Sequence, residues 1–201
     1  MNEQAFCLWF SGLSASGKTT LARMLEEALL ERGLAVEVLD GEAVRADLGR
    51  DLGFTREDRM TNLRRIAYLA KLLTRNGIVV LVAAITPYQD FRDEARQELG
   101  CVVEAFLDCP LEVCIQRDPK GLYKRALAGE IKHFSGLDEP FERPCRPEIE
   151  LRTDLESPDE CLEKIIRALE LMGMIPAVAA SGYSEEESEL IEKRLKDLGY
   201  I

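Results

Sequence analysis

The chain of 201 residues has a single histidine, His133, and no Cys-x-x-Cys pair among its six cysteines. A lone histidine without a positioned partner reads as a surface or packing residue rather than a catalyst. Cys7, Cys101, Cys109, Cys114, Cys145 and Cys161 are scattered, several inside apolar runs where a thiol behaves as a small hydrophobe. Their spacing supports neither a zinc site nor a disulfide framework. No run approaches the roughly 18 apolar residues that a membrane span needs, and no basic, apolar leader precedes the first strand. The expectation is a cytoplasmic protein that does not enter a membrane. Positive charge is short as well: 26 Lys and Arg stand against 37 Asp and Glu, a formal net charge of −11. That balance argues against a broad nucleic-acid or acidic-membrane surface, so anionic ligands must be met by local basic clusters.

What is present is compact and patterned. The length suits one α/β domain with a short addition, and 46% hydrophobic residues suffice for a core. Apolar runs bounded by turn signals recur at Ala5–Phe10, Ala35–Leu39, Ile78–Ala84, Val102–Leu107 and Ile149–Leu151. Helical spacing predicts helices over Thr19–Leu30, Asp58–Arg75, Asp90–Leu99, Leu111–Arg117, Pro119–Ala128 and Asp159–Met172. Alternation of strand and helix implies a parallel sheet covered on both faces, with ligands at the carboxyl ends of its strands.

Residues 12 to 19, Gly-Leu-Ser-Ala-Ser-Gly-Lys-Thr, fit G-x-x-x-x-G-K-[ST] between the first strand and the first helix. A loop so placed turns backbone N–H groups inward as an anion nest at a helix N-terminus. Lys18, solvent-facing before nucleotide arrives, then reaches the terminal phosphates, and Thr19 offers its hydroxyl to Mg²⁺. Asp40, which ends the second strand, is placed to accept a proton from a substrate hydroxyl or to hold the water shell of Mg²⁺; capping the helix near Glu42 is the competing and compatible role. Arg45, Arg59, Arg64 and Arg65, with Asn62 among them, form a basic helical stretch, and Arg92 and Arg96 follow Pro87. Each has acids nearby, so a solvated paired face competes with phosphate binding. The segment from Arg117 to Pro147 is rich in proline, glycine and basic residues and carries exposed-looking Phe134 and Phe141. It reads as a mobile cover over charged substrates.

Taken together, GLSASGKTT, DGEAVR, DLGF, DRMTNLRRIAYLAK, ITPY, RDPKGLYKRALAGEI and FSGLDEPFERPCRPE, in unbroken order over roughly residues 5 to 173, resemble the adenylylsulfate kinase family. The resemblance implies transfer of the ATP γ-phosphate to the 3′-hydroxyl of adenosine 5′-phosphosulfate, with Mg²⁺ and usually as a homodimer. It implies a P-loop kinase-type fold over residues 1–175 with a lid at about 118–147. The extension over 176–201 exceeds the family's usual core; its residues read as one amphipathic helix, with Ser184 as N-cap and a stripe of Leu190, Ile191, Leu195 and Leu198. The resemblance assigns Gly12, Leu13, Ser14, Ala15, Ser16, Gly17, Lys18, Thr19, Thr20 and Arg117 to ATP. Asp40, Arg45, Phe54, Arg59, Asn62, Ile85, Thr86, Lys120, Phe134 and Leu137 go to the acceptor side, with Phe54 and Phe134 bracketing its adenine and Lys120 near transferring phosphates. Lys18 and Asp40 are the catalytic pair. Thr86 stands where the family usually has serine, and His133 where it commonly has a smaller residue, which keeps a kinase for another nucleotide-like acceptor open. A GTP-dependent switch fits poorly, because no N-K-x-D guanine-reading motif is present.

Overall fold

The computed structural model describes residues 5–177 and 185–199. Five strands, β1 (Cys7–Ser11), β2 (Val36–Asp40), β3 (Val79–Ala83), β4 (Val102–Leu107) and β5 (Ile149–Leu151), form one sheet in the order β2-β3-β1-β4-β5. Every pairing is parallel. Between and after them run α1 (Lys18–Glu31), α2 (Gly41–Leu48), α3 (Arg56–Thr74), α4 (Gln89–Leu99), α5 (Leu111–Arg117), α6 (Leu122–Leu127), α7 (Pro158–Leu171) and α8 (Glu185–Leu198). Among the described residues no helix is long and apolar enough to cross a membrane.

The central strand shows why its sequence is apolar throughout. Phe6, Leu8 and Phe10 point to one face, where Leu21, Leu25 and Leu29 of α1 meet Cys161, Ile165 and Leu169 of α7. Cys7 and Trp9 point to the other, against Met60, Leu63, Ile66 and Ala70 of α3 and Phe91 and Ala95 of α4. A strand buried on both faces has no polar alternation. The order with β1 between β3 and β4 sets the phosphate loop at the middle of the sheet's carboxyl edge, where ligand sites of such sheets lie.

Local signals set the helix ends. Ser157 opens α7 with a capping box to Glu160 and Pro158 in the first turn; Thr55 opens α3 with a box to Asp58. The basic stretch after the second strand is therefore two helices, interrupted over residues 49–55 at Gly49 and Gly53. Gly49 is confined: a Cβ there would lie 2.9 Å from Asn62 Oδ1 and 3.0 Å from the Arg45 carbonyl. The predicted helix at Pro119–Ala128 starts only at Leu122, because the Asp118 carboxylate accepts from the Tyr123 and Lys124 amides at 3.1 and 3.0 Å. In the extension, Leu195 of α8 is buried and Ile191 packs on the α1–α7 side of the core. Arg194 donates to the Pro147 carbonyl at 3.0 Å and pairs with Glu150 of β5 at 3.0 Å. Ser184 and the Leu190 side chain lie outside the described residues.

The two layers carry unequal energies. Leu25→Ala removes a fully buried side chain and is expected to cost about 2–5 kcal/mol, whereas Ser157→Ala loses one cap at about 1 kcal/mol. Urea unfolding of the two variants checks the order; a smaller loss for Leu25→Ala than for Ser157→Ala would contradict this assignment of the core.

Candidate active site

The loop between β1 and α1 is shaped by close approach to β4. Gly12 has φ +146°, and a Cβ on it would meet the Leu107 carbonyl and Ser16 Oγ at 2.9 Å each, so only glycine fits. Gly17, in the left-handed region at φ +106°, turns the chain into α1. Side chains brace the loop's carbonyls: Tyr123 donates to Ser14 O at 3.1 Å and Thr153 to Ser16 O at 2.9 Å. Lys18 does the same, donating to Gly12 O at 3.1 Å and Leu13 O at 2.6 Å. It is 8% exposed rather than solvent-facing, which overturns the expectation from sequence. Burial pushes its ammonium down to about 8, against the pull of Cys114, Glu42 and Asp40.

Thr19 and Asp40 meet at the edge of this loop, the Thr19 hydroxyl donating to Asp40 Oδ2 at 2.8 Å. Asp40 Oδ1 accepts from the Glu42 and Ala43 amides at 2.9 and 3.2 Å, so the capping role is real and leaves one oxygen facing Thr19. A hydroxyl beside a carboxylate is the hard oxygen set that Mg²⁺ takes alongside phosphates and water, and the pair fits that ion. Among the described residues no group of three His, Cys, Asp or Glu could hold a metal by itself. Lys120 reaches across from the segment after α5 to Glu42 at 2.5 Å.

Along the basic stretch of α2 and α3, partners separate the arginines. Arg56, Arg64 and Arg65 pair with Asp90, Glu94 and Asp51 at 2.6–2.7 Å, the solvated face that spacing alone could not tell from a ligand site. Arg45 and Arg59 instead donate to carbonyls: Arg45 to Leu52 and Gly53, Arg59 to Phe54 at 3.2 Å and to His133 of the lid segment. Burial lowers the pKa of both guanidiniums, and they stay charged. The Phe54 ring is 51% exposed, with the Arg45 guanidinium 4.4 Å from its centre. Among the described residues, Asn62 Oδ1, one turn along α3 from Arg59, and the Tyr88 hydroxyl are buried without a hydrogen-bond partner; in sequence Tyr88 only ends the ITPY run at this rim, with no role.

Other assigned residues sit differently from expectation. The Thr86 hydroxyl is fully buried, accepting from Trp9 Nε1 at 2.8 Å and donating to Ala84 O at 3.2 Å, while Ile85 beside it is partly exposed. Phe134 is buried, not exposed: its ring meets Tyr123 edge-on at 4.9 Å in a cluster with Cys109 and Cys114, against which Leu13 and Leu137 pack. Phe54 and Phe134 thus do not bracket an open slot here, although Arg59 joins their neighbourhoods through the His133 carbonyl. Leu13 and Leu137 also line an open cavity of about 380 Å³ with Gly136, Asp138, Glu139, Pro140 and Phe141. His133 has a partner after all, Glu139 at 2.7 Å, on the surface of the lid segment. Arg117 donates to the Thr153 carbonyl, next to the phosphate loop.

The buried Lys18 makes a signed pH prediction. A polyphosphate favours the charged ammonium, so its pKa in the complex lies above the value of about 8 in the free protein. Above pH 8 the complex then holds a proton that the free protein lacks. Nucleotide affinity should be unaffected by this group below pH 8 and fall above it, by at most about tenfold per pH unit. Calorimetric titration with ADP in buffers of different ionisation enthalpy should show proton uptake at pH 9 and not at pH 7; a Lys18→Met variant should lose it. Uptake that persists in the variant would assign it to another group.

The sequence and the fold both match those of known proteins. The sequence profile described as adenylylsulphate kinase matches residues 4–152. The adenylyl-sulfate kinase of Rippkaea orientalis is 55% identical over 175 residues, spanning 87% of this chain and 97% of that protein. The corresponding protein of Picosynechococcus is 50% identical over 87% of this chain and 99% of its own length. Among solved structures, the Mycobacterium tuberculosis APS kinase, in complex with AMPPNP and APS, superimposes with a TM-score of 0.80 at 46% identity, covering 83% of this chain and 98% of that one. With the phosphate loop, the Thr19–Asp40 contact and the carbonyl-bound arginines in place, the chain belongs to the adenylylsulphate kinase family.

Proposed function

We propose that this chain transfers the γ-phosphate of ATP to the 3′-hydroxyl of adenosine 5′-phosphosulfate, forming 3′-phosphoadenosine 5′-phosphosulfate and ADP. The observation that carries the reading is the 2.8 Å contact between Thr19 of the phosphate loop and Asp40. It sets a candidate base against the donor phosphates, where in-line transfer needs the acceptor hydroxyl. The relatives named above supply the acceptor's identity.

The residues take the following parts. Gly12 to Thr20 cradle the donor phosphates, Lys18 follows the transferring group, and Arg117 lies on the ATP side. Thr19, with Asp40 behind it, would hold Mg²⁺, which when bound would supply positive charge to offset that of the phosphates. Asp40 orients the 3′-hydroxyl and takes its proton as the new oxygen–phosphorus bond forms and the bond to ADP breaks. Arg45, Arg59 and Asn62 meet the phosphosulfate and ribose, exchanging carbonyl partners for anionic oxygens. Phe54 offers its exposed ring to the adenine, with Phe134 acting from the lid, Ile85, Thr86 and Leu137 lining the pocket and Lys120 near the phosphates. The segment at about 118–147 is the cover, residues 1–175 form the catalytic unit, and the protein works in the cytoplasm as a homodimer. The resemblance supports that assembly; light scattering tests it.

Incubation with ATP, Mg²⁺ and adenosine 5′-phosphosulfate should yield ADP and the 3′-phosphorylated product in equal amounts. ATP consumption without that product would sink the acceptor assignment. Asp40→Asn keeps an oxygen for the helix cap and loses basicity, so kcat should fall about 10²–10⁴-fold while stability changes by less than about 1 kcal/mol. A change confined to ATP affinity would leave Asp40 as a metal or capping residue.

Charge and stacking should separate in acceptor binding. Arg59→Ala should weaken it by about 1.5–3 kcal/mol and Phe54→Ala by roughly 1–3 kcal/mol. Only the arginine contribution should shrink as ionic strength rises. Titration of the acceptor in the presence of ADP measures both; wild-type affinity in both variants would show that the acceptor site has been misplaced.

A further inference from the structure

Arg92 and Glu104 are charged residues in the interior that the proposed reaction leaves unused. Glu104 sits mid-strand in β4 on the face toward α4, 5% exposed, and Arg92 in α4 is 4% exposed. Their charges face each other at 3.8 Å. Around this pair, bonds radiate to three parts of the candidate site. Glu104 Oε1 accepts from the Ser11 hydroxyl at 2.8 Å, and Ser11 is the residue before Gly12 of the phosphate loop. The Arg92 fork donates to the Thr86 carbonyl, on the acceptor-side rim, and to the Glu142 carbonyl, at the far end of the lid segment. Its Nε is steered by Gln89 Oε1 at 3.2 Å.

Glu142 is fixed at other points too. Its amide donates to the Pro87 carbonyl at 2.8 Å, and its carboxylate accepts from the Gln89 amide at 2.6 Å. Arg96 backs the cluster from the same helix, pairing with Glu148 at 2.6 Å and Glu104 at 3.3 Å, and Glu148 accepts from the Glu104 amide at 2.7 Å. A buried charge survives only when paired and bonded this fully. A planar guanidinium holds two carbonyls from separate segments in one fixed register, whereas the three donors of a lysine ammonium rotate on a flexible stem and fix the register less.

We infer that Arg92 is a positioning residue for phosphoryl transfer: its guanidinium holds the lid's far stem at Glu142 in register with the acceptor rim at Thr86, and Glu104 ties both to the phosphate loop through Ser11. The inference rests on the acceptor reading above and adds a residue that touches neither substrate. Its loss should act on the acceptor, whose pocket has the rim and the lid as walls, more than on ATP, whose phosphates are held by the loop itself.

Arg92→Lys keeps the charge and removes the fork. With wild type as the reference for turnover, the KM for adenosine 5′-phosphosulfate should rise about tenfold or more, as expected for lost bonds to a charged donor, while ADP affinity stays within about threefold. Backbone amide exchange over residues 134–142 should accelerate in the substrate-free variant, a readout independent of the acceptor's identity. Gln89→Ala, which removes the acceptor that steers the Arg92 Nε, should give the same pattern more weakly, and it decides the matter if Arg92→Lys does not fold. Arg92→Ala with added methylguanidinium should recover acceptor KM. Unchanged acceptor KM and exchange in folded variants would overturn the inference. So would equal losses of ADP and acceptor affinity with a lowered unfolding temperature, the mark of a merely structural role. If wild type itself fails to phosphorylate the acceptor, the proposed function falls, and the exchange measurement still judges Arg92.

Discussion

A phosphate loop must offer several backbone amides to one anion while its carbonyls, equally polar, find partners elsewhere, and the arrangement around Gly12 to Thr19 follows from that demand. The carbonyls of Gly12 and Leu13 take Lys18, that of Ser14 takes Tyr123, and that of Ser16 takes Thr153. Two of those braces come from far along the chain: Tyr123 from α6 and Thr153 from the turn after β5. Two of the loop's carbonyls therefore find their partners only when α6 and the turn after β5 are in place. Gly12 adds a steric condition, because its approach to the Leu107 carbonyl fixes the loop against β4.

The acidic balance of the chain sharpens the next step. With 37 acids for 26 basic residues, most arginines can find a carboxylate, and a guanidinium so paired has little left for a ligand. Arg45 and Arg59 are bonded to carbonyls instead. A carbonyl carries a dipole and no net charge, so exchanging it for an anionic oxygen gains Coulomb attraction without stranding a carboxylate. The choice of partner separates Arg45 and Arg59 from the carboxylate-paired arginines, which their position on α2 and α3 does not.

This is also where legibility in the sequence ends. The five strands could be read because a sheet buried on both faces needs continuous apolar runs, and the phosphate loop because its spacing is a geometric necessity. Asp40, at a strand end beside that loop, followed from topology. Partners did not. Arg59 and Arg64 look alike along one helix, yet one bonds the lid and the other Glu94. Glu104 hides inside CVVEAFL, where one acid in an apolar run gives no periodic signal and its partners lie 8, 12, 44 and 93 residues away. Lys18 and Phe134 were misread for the same reason: local sequence reports side-chain type, whereas burial depends on which distant segments close over it.

Those closures differ in strength along the lid segment. Near its start, Lys120 holds Glu42 through side chains 59% and 61% exposed, and Arg125 and Glu130 form a similar open pair. Exposed pairs of this kind contribute about 0–1 kcal/mol each. At the far stem, Glu142 is bonded to a guanidinium whose buried charge is matched by Glu104, and stranding one partner of such a pair costs about 3–5 kcal/mol. The middle is held by packing: Tyr123, fully buried against Phe134, also donates to the Ser14 carbonyl, so only the exposed pairs at Lys120 and Arg125 break at little cost. Glu42 lies two residues past Asp40, so the Lys120–Glu42 pair is one that a phosphate at the loop can replace, trading a carboxylate for a more highly charged anion without disturbing the buried anchors.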